Sequence, residues 1–218
     1  MNIDNYHNVK RNLPLNVQLI AVSKTKSVEE IMLLYQEGQR IFGENKAQEM
    51  TAKHALLPDD IQWHFIGHLQ KNKVKYIAPF VSLIHSIDSY NLLYEVNSAA
   101  QKNNRVISCL LQFHIASEDS KFGFQMEECE NMLQNESLYK LKNIEIVGVM
   151  GMATLTENEE QIRHEFQTLA SHFKKLKETY FFSQSSFKVI SMGMTDDYHI
   201  AIKEGTTMVR IGSAIFGH

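Results

Sequence analysis

Cysteine is scarce: 218 residues contain two, Cys109 and Cys129. That excludes a disulfide-held scaffold. Cys109 falls in an apolar run and reads as a core thiol, a common fate for cysteine. Cys129 falls in a polar helical pattern and reads as an ordinary helical thiol. Proline is also sparse, with three residues, and no proline-rich or low-complexity tract interrupts the chain. A domain boundary has no support, so residues 1–218 are expected to form a single domain. No apolar run approaches the roughly 20 residues that a membrane helix needs. The opening segment MNIDNYHNVKRNL has no apolar core of the secretory kind. An excess of charge is missing too: 22 Lys and Arg stand against 25 Asp and Glu, for a net charge of −3. With no basic stripe, nucleic acid is not an expected partner. The expectation is a soluble cytoplasmic protein that engages neither membrane nor nucleic acid.

What the chain does have is alternation. Its 44% hydrophobic content is ample for a core, and it comes in short runs separated by helical patterns. VQLIAVSK (17–24) reads as a strand by its β-branched residues. A helix follows over 27–38, with Ser27 as N-cap, Glu30 three residues on, and Gly38 as the stop. Further strands are read at 40–45, 61–68, 83–88, 105–116, 144–152, 187–193 and 207–213. Helices are read between them: one ending near Leu56, a basic one from Leu69, one ending at Lys102, one over 125–135, a long one over 157–179 and a short one before strand eight. Tyr6 and Val9 mark an extra helix ahead of the first strand. Parallel neighbours need crossovers, and crossovers are what these helices supply. The expected fold is α/β, a single (β/α)8 TIM-like barrel with an added N-terminal helix. An open doubly wound sheet is the alternative.

Function in such a barrel gathers where the strands end. Those ends carry Lys24, Gly43-Glu44-Asn45, Gly67-His68, Ser86 and Asp88, His114 to Ser117, Met150-Gly151-Met152, Ser191 to Thr195, and Arg210 to Ser213. Lys24 is the standout cation on an apolar strand. Period-2 alternation sets it on the face of Ile20 and Val22, toward the interior. Apolar surroundings disfavour an ammonium, and a free amine condenses with aldehydes. From position alone, the favoured reading of Lys24 is a solvated strand-end lysine, with Lys26 as its equal neighbour. SMGMTDD opens a helix and offers donors at Ser191, Gly193 and Thr195. RIGS adds the backbone N–H groups of Gly212 and Ser213. The loops after strands seven and eight hold phosphate in many barrels, and a closed barrel sets them beside strand one. A phosphorylated aldehyde would satisfy both features, and pyridoxal 5′-phosphate is the obvious candidate.

Taken together, AVSKTK, FGENKAQE, WHFIGHLQKNK, HSIDS, SKFG, GVMGMA, SMGMTDDY and VRIGSAIFG resemble the YggS/PROSC family of pyridoxal-phosphate homeostasis proteins. The resemblance spans residues 17 to 217, with the motifs in family order. It implies a barrel related to the N-terminal domain of alanine racemase. It also implies a protein that holds pyridoxal 5′-phosphate as a lysine Schiff base without robust turnover. Lys24 stands where the family's aldehyde-binding lysine stands. Ser191, Gly193 and Thr195 match its phosphate motif, completed by Gly212 and Ser213. Arg210 matches the arginine that faces the pyridine nitrogen; Asn45 and His68 match pocket positions. One departure is His114, where many relatives have asparagine, which leaves the pocket wall at strand five open.

A buffer that hands cofactor to apo pyridoxal-phosphate enzymes is the expected role, acting as a monomer. The alternative is a weak amino-acid racemase. An arginine cannot take a proton from the ring nitrogen. Alanine racemase also draws a second base, a tyrosine, from another domain, which this sequence is not expected to supply. Lys121 is the rival for the Schiff base, in a polar loop. His64 and His68 have zinc-pair spacing but lack the intervening glutamate, and on a strand they should diverge. Lys71, Lys73 and Lys75 read as a solvated basic face.

Overall fold

The computed structural model describes residues 3–117 and 122–217. Lys121, the rival Schiff-base lysine, lies outside the described residues.

Eight strands close into one barrel in sequence order, every neighbouring pair parallel. They are β1 (Gln18–Val22), β2 (Ile41–Glu44), β3 (Gln62–Phe65), β4 (Leu83–Ile87), β5 (Ile107–Phe113), β6 (Ile144–Gly151), β7 (Val189–Ser191) and β8 (Met208–Ile211). Closure is made by β1 against β8, where Leu19 faces Val209 and Ile20 faces Arg210. The open doubly wound alternative is thereby excluded.

The helices are α1 (Ile3–Asn12), α2 (Val28–Gln36), α3 (Ala47–His54), α4 (Val74–Ile77), α5 (Tyr90–Lys102), α6 (Met126–Gln134), α7 (Glu159–Thr179), α8 (Tyr198–Lys203) and α9 (Ser213–Phe216). Ser27 caps α2 in a reciprocal capping box with Glu30. α1 is the extra helix, and its buried Tyr6 donates a hydrogen bond to Gln39 Oε1 at 3.3 Å. The basic helix expected from Leu69 is a 3-10 turn, Lys71–Lys73, running into the short α4. Its exposed lysines crowd a segment with few apolar anchors, so only Val74 and Ile77 dock.

Two apolar layers follow from the alternation. Ile20, Leu83, Leu110, Val147, Met150, Val189 and Met208 fill the barrel interior. The larger layer lies between sheet and helices and includes Phe42, Trp63, Phe113, Phe166 and Phe187. Cys109 is buried as expected. Cys129 is buried as well, so it is a core thiol and not an ordinary helical one; burial pushes it up to about 12.

Candidate functional site

A cavity of about 510 Å³ opens at the C-terminal ends of the strands. Its lining includes Lys24, Asn45, His68, Thr195, Arg210, Gly212 and Ser213. Seven residues read from the sequence as site candidates are therefore brought to one wall or another of one space. Ser191 and Gly193 are not among the lining residues.

Lys24 reaches this cavity from a turn, not from the strand. β1 ends at Val22, two residues earlier, and Lys24 is exposed. The expected apolar burial of its stem is not observed, because the alternation that carries Ile20 inward stops where the strand does. Among the described residues no side-chain hydrogen bond or ion pair engages the Lys24 amine.

The loops after β7 and β8 meet at two hydroxyls. Ser213 Oγ donates to Thr195 Oγ1 at 3.2 Å. Gly193 permits the sharp turn after β7, with φ +95° and a bare Cα that leaves room for Ala201 and Tyr198. Asp197 then fixes the loop by accepting the Met194 N–H at 2.5 Å. Burial raises the Asp197 carboxyl, against the Met194 hydrogen bond and the Arg210 charge. Gly212 leads directly into α9 and its carbonyl accepts from the Ile215 and Phe216 N–H groups at 2.9 Å, so only the Ser213 and Ala214 N–H groups open the helix without an intrahelical acceptor.

Arg210 forms the cavity floor and is almost wholly buried. Nη1 donates to the Ser191 carbonyl at 2.9 Å and to the Ser191 hydroxyl at 2.7 Å; Nη2 donates to the Gly151 carbonyl at 3.0 Å. Burial lowers its pKa to about 10, with Asp197 opposing, so it remains a cation at neutral pH. Ser191 itself is fully buried and its hydroxyl also lies 3.0 Å from His85 Nδ1. His85 Nε2 lies 3.0 Å from His64 Nδ1. One nitrogen of that pair donates and the other accepts, so the accepting ring is neutral. Burial pushes His64 down to about 3 and His85 well below its usual range. The serine that sequence reading offered to a phosphate is thus committed beneath the cavity, to Arg210 and His85. Alternation carried the signal: Ser191 shares the inward face of Val189.

His68 stands at the rim, its Nδ1 3.3 Å from Asp88 Oδ2 and its ring stacked on Phe122 at 3.9 Å. His64 points into the barrel and His68 to the rim, so the pair does diverge. Among the described residues no three His, Cys, Asp or Glu side chains form a metal-sized group. Asn45 is held against Gly67, where an added Cβ would lie 2.5 Å from the Asn45 carbonyl oxygen. At strand five the wall is Gln112, which sequence reading missed although it follows Leu110 in the inward register; its Nε2 donates to the Phe122 carbonyl at 3.0 Å. His114 is not among the lining residues, so the departure from the family pattern falls beside the cavity.

The cavity therefore combines an exposed amine, a pair of hydroxyls at a helix start, and a buried cation. That donor set suits a molecule with a reactive carbonyl and an anionic group. Among the described residues no helix is long and apolar enough to cross a membrane.

Comparison with known proteins agrees with this chemistry. The alanine racemase N-terminal domain family matches residues 3–218. A pyridoxal phosphate homeostasis protein of Aquifex aeolicus is 38% identical, over 92% of this chain and 86% of its own. One from Vibrio alginolyticus is 39% identical, over 94% of this chain and 87% of its own. The structure of PipY from Synechococcus elongatus with pyridoxal phosphate bound is 32% identical, with a TM-score of 0.89 and 99% of each chain covered. Alanine racemase from Streptomyces coelicolor shares the fold, with a TM-score of 0.78 at 15% identity.

Proposed function

The chain belongs to the alanine racemase N-terminal domain family, and from that premise we propose that it binds pyridoxal 5′-phosphate and serves pyridoxal-phosphate homeostasis. The carrying observation is that Lys24, Thr195 and Ser213 open on one cavity above Arg210. The names of its relatives and the cofactor bound to PipY support the same reading.

Each residue has a role in this reading. Lys24 supplies the amine that condenses with the cofactor aldehyde, releasing water and leaving a Schiff base. Thr195, Ser213 and the N–H groups opening α9 hold the phosphate. Gly193 shapes the turn that presents Thr195, and Gly212 the one that presents Ser213. Asn45 and His68 border the ring. Ser191 acts from below, by orienting Arg210. The cofactor supplies an electron sink when its ring nitrogen is protonated. Arg210, a cation that cannot accept a proton, would leave that nitrogen unprotonated and the sink weak. Holding and release are favoured over turnover, and the recipients are apo enzymes that use the cofactor. The protein acts in the cytoplasm.

The test has two arms. Borohydride reduction of the cofactor-loaded protein, followed by peptide mapping, should place the pyridoxyl group on Lys24; finding it on Lys121 overturns that assignment. α-Deuterium incorporation into L- and D-alanine should be far below an enzyme-like rate of about 1 s⁻¹. Incorporation at that rate would make the protein a racemase.

A further inference from the structure

Lys24 sits on a turn, and turns are mobile unless something holds them. We propose that Lys53 is a positioning residue for Lys24, acting through the backbone of Ser23 and Thr25 without lining the cavity. The inference rests on the reading of Lys24 as the carbonyl-binding amine.

Lys53 projects from α3 with its side chain only 8% exposed. Its Nζ donates to the Ser23 carbonyl at 2.7 Å, to Glu44 Oε1 at 2.8 Å and to Glu49 Oε1 at 2.7 Å. An ammonium has three donors, and all three are used. Ser23 is fully buried and immediately precedes Lys24. Its hydroxyl donates to Glu44 Oε1 at 2.6 Å, and its N–H to the Gly43 carbonyl at 3.0 Å. On the other side of Lys24, the Thr25 N–H donates to Glu49 Oε1 at 2.6 Å. Both flanks of Lys24 are tied to carboxylates that share one ammonium.

Two features indicate direction over bulk stability. Thr25 has φ +64°, a left-handed conformation that a β-branched residue adopts only when its surroundings impose it. Glu44 is fully buried, yet its Oε2 has no hydrogen-bond partner. A buried ion pair with an unsatisfied oxygen is a poor device for stability alone. It is a good device for holding a strained turn in one place, which is what a surface amine needs in order to meet a carbonyl repeatedly at the same angle.

The experiment compares wild type, Lys53→Met and Glu49→Ala in the full chain. One readout is affinity for pyridoxamine 5′-phosphate, which carries the phosphate but no aldehyde. The other is the rate at which pyridoxal 5′-phosphate becomes trapped on Lys24 by borohydride, with Lys26 mapped as the internal reference. Both variants should keep pyridoxamine 5′-phosphate affinity within about twofold while trapping on Lys24 slows about tenfold or more, the signature of lost orientation. Trapping at the wild-type rate overturns the inference. Parallel loss of both readouts also overturns it, because Lys53 would then only support the fold. If Lys53→Met does not fold, Glu49→Ala decides, since it leaves the buried Lys53–Glu44 pair in place. Wild-type protein trapped on another lysine overturns the reading of Lys24, and this inference with it, before any variant is compared.

Discussion

Arg210 and Ser191 are joined twice, through the serine carbonyl at 2.9 Å and its hydroxyl at 2.7 Å. Ser191 is therefore part of the support for the cation and is not among the residues lining the cavity. Ser191→Ala should lower folding stability by about 1–3 kcal/mol, because it leaves buried donors without an acceptor. It should affect binding of pyridoxamine 5′-phosphate less than Thr195→Ala does. Denaturant titration and ligand titration of the two variants check both statements.

Thr195 and Ser213 carry the anion in the proposed reading. Thr195→Ala and Ser213→Ala should each weaken binding of pyridoxal 5′-phosphate by about 1–3 kcal/mol, the usual cost of losing a hydrogen bond to a charged group. Pyridoxal without phosphate should bind poorly to wild type and be indifferent to both substitutions. Equal affinity for pyridoxal and its phosphate, measured by fluorescence titration, would remove the phosphate site.

Lys24→Ala should fold normally, since the side chain is exposed and packs against nothing that the core needs. It should lose covalent trapping of the cofactor aldehyde while still binding pyridoxamine 5′-phosphate. Reduction with borohydride and intact-mass measurement distinguish the two.

Acid should weaken the fold through the buried histidine pair. His64 is held neutral down to about pH 3, against an ordinary value of 6.5, and His85 is also lowered by burial. Between those values the unfolded chain binds protons that the folded chain refuses. Stability should therefore fall as pH drops below 6.5, by up to about 1.4 kcal/mol per pH unit for each ring. The raised carboxyls of Glu44 and Asp197 act in the opposite sense and offset part of the loss. Urea midpoints at pH 7 and pH 5 test the slope, and His64→Gln should flatten it by about one proton.

Gly67→Ala should be costly for a steric reason alone. The new Cβ would sit 2.5 Å from the Asn45 carbonyl oxygen and 2.8 Å from its Cα, and backbone cannot swing aside as a side chain can. A loss of about 1–3 kcal/mol is expected, together with weaker cofactor binding as Asn45 shifts. Thermal melts with and without ligand separate the two effects.

The barrel was legible because short apolar runs alternate with helical segments that supply crossovers, a pattern that calls for a parallel sheet. The rim was legible because the strand ends carry glycine and hydroxyl residues, as in Ser191 to Thr195 and Arg210 to Ser213. Less legible was direction. Alternation sets Ser191 on the inward face with Val189, but whether it reaches the cavity or stays beneath it depends on where β7 stops, a matter of one residue, and strand ends are the least certain part of any sequence reading. The same uncertainty moved Lys24 from an apolar wall to an exposed turn, since β1 stops at Val22. The Lys53 network could not be read at all beyond its Glu49–Lys53 spacing on α3. Its other partners, Ser23 and Glu44, lie 30 and nine residues away and come together only when β1 and β2 pair.

The pairing of β1 with β8 has a temporal consequence. Lys24 is synthesised well before Thr195, Arg210 and Ser213. No partial chain can hold the anion and the amine together, so the site comes into being in a single event, when the final strand closes the ring. Until then β1 and β7 each present an open edge, the kind of surface on which unfinished chains associate with one another. Cofactor present during synthesis has nothing to grip on the growing polypeptide, and it can reward only the finished barrel.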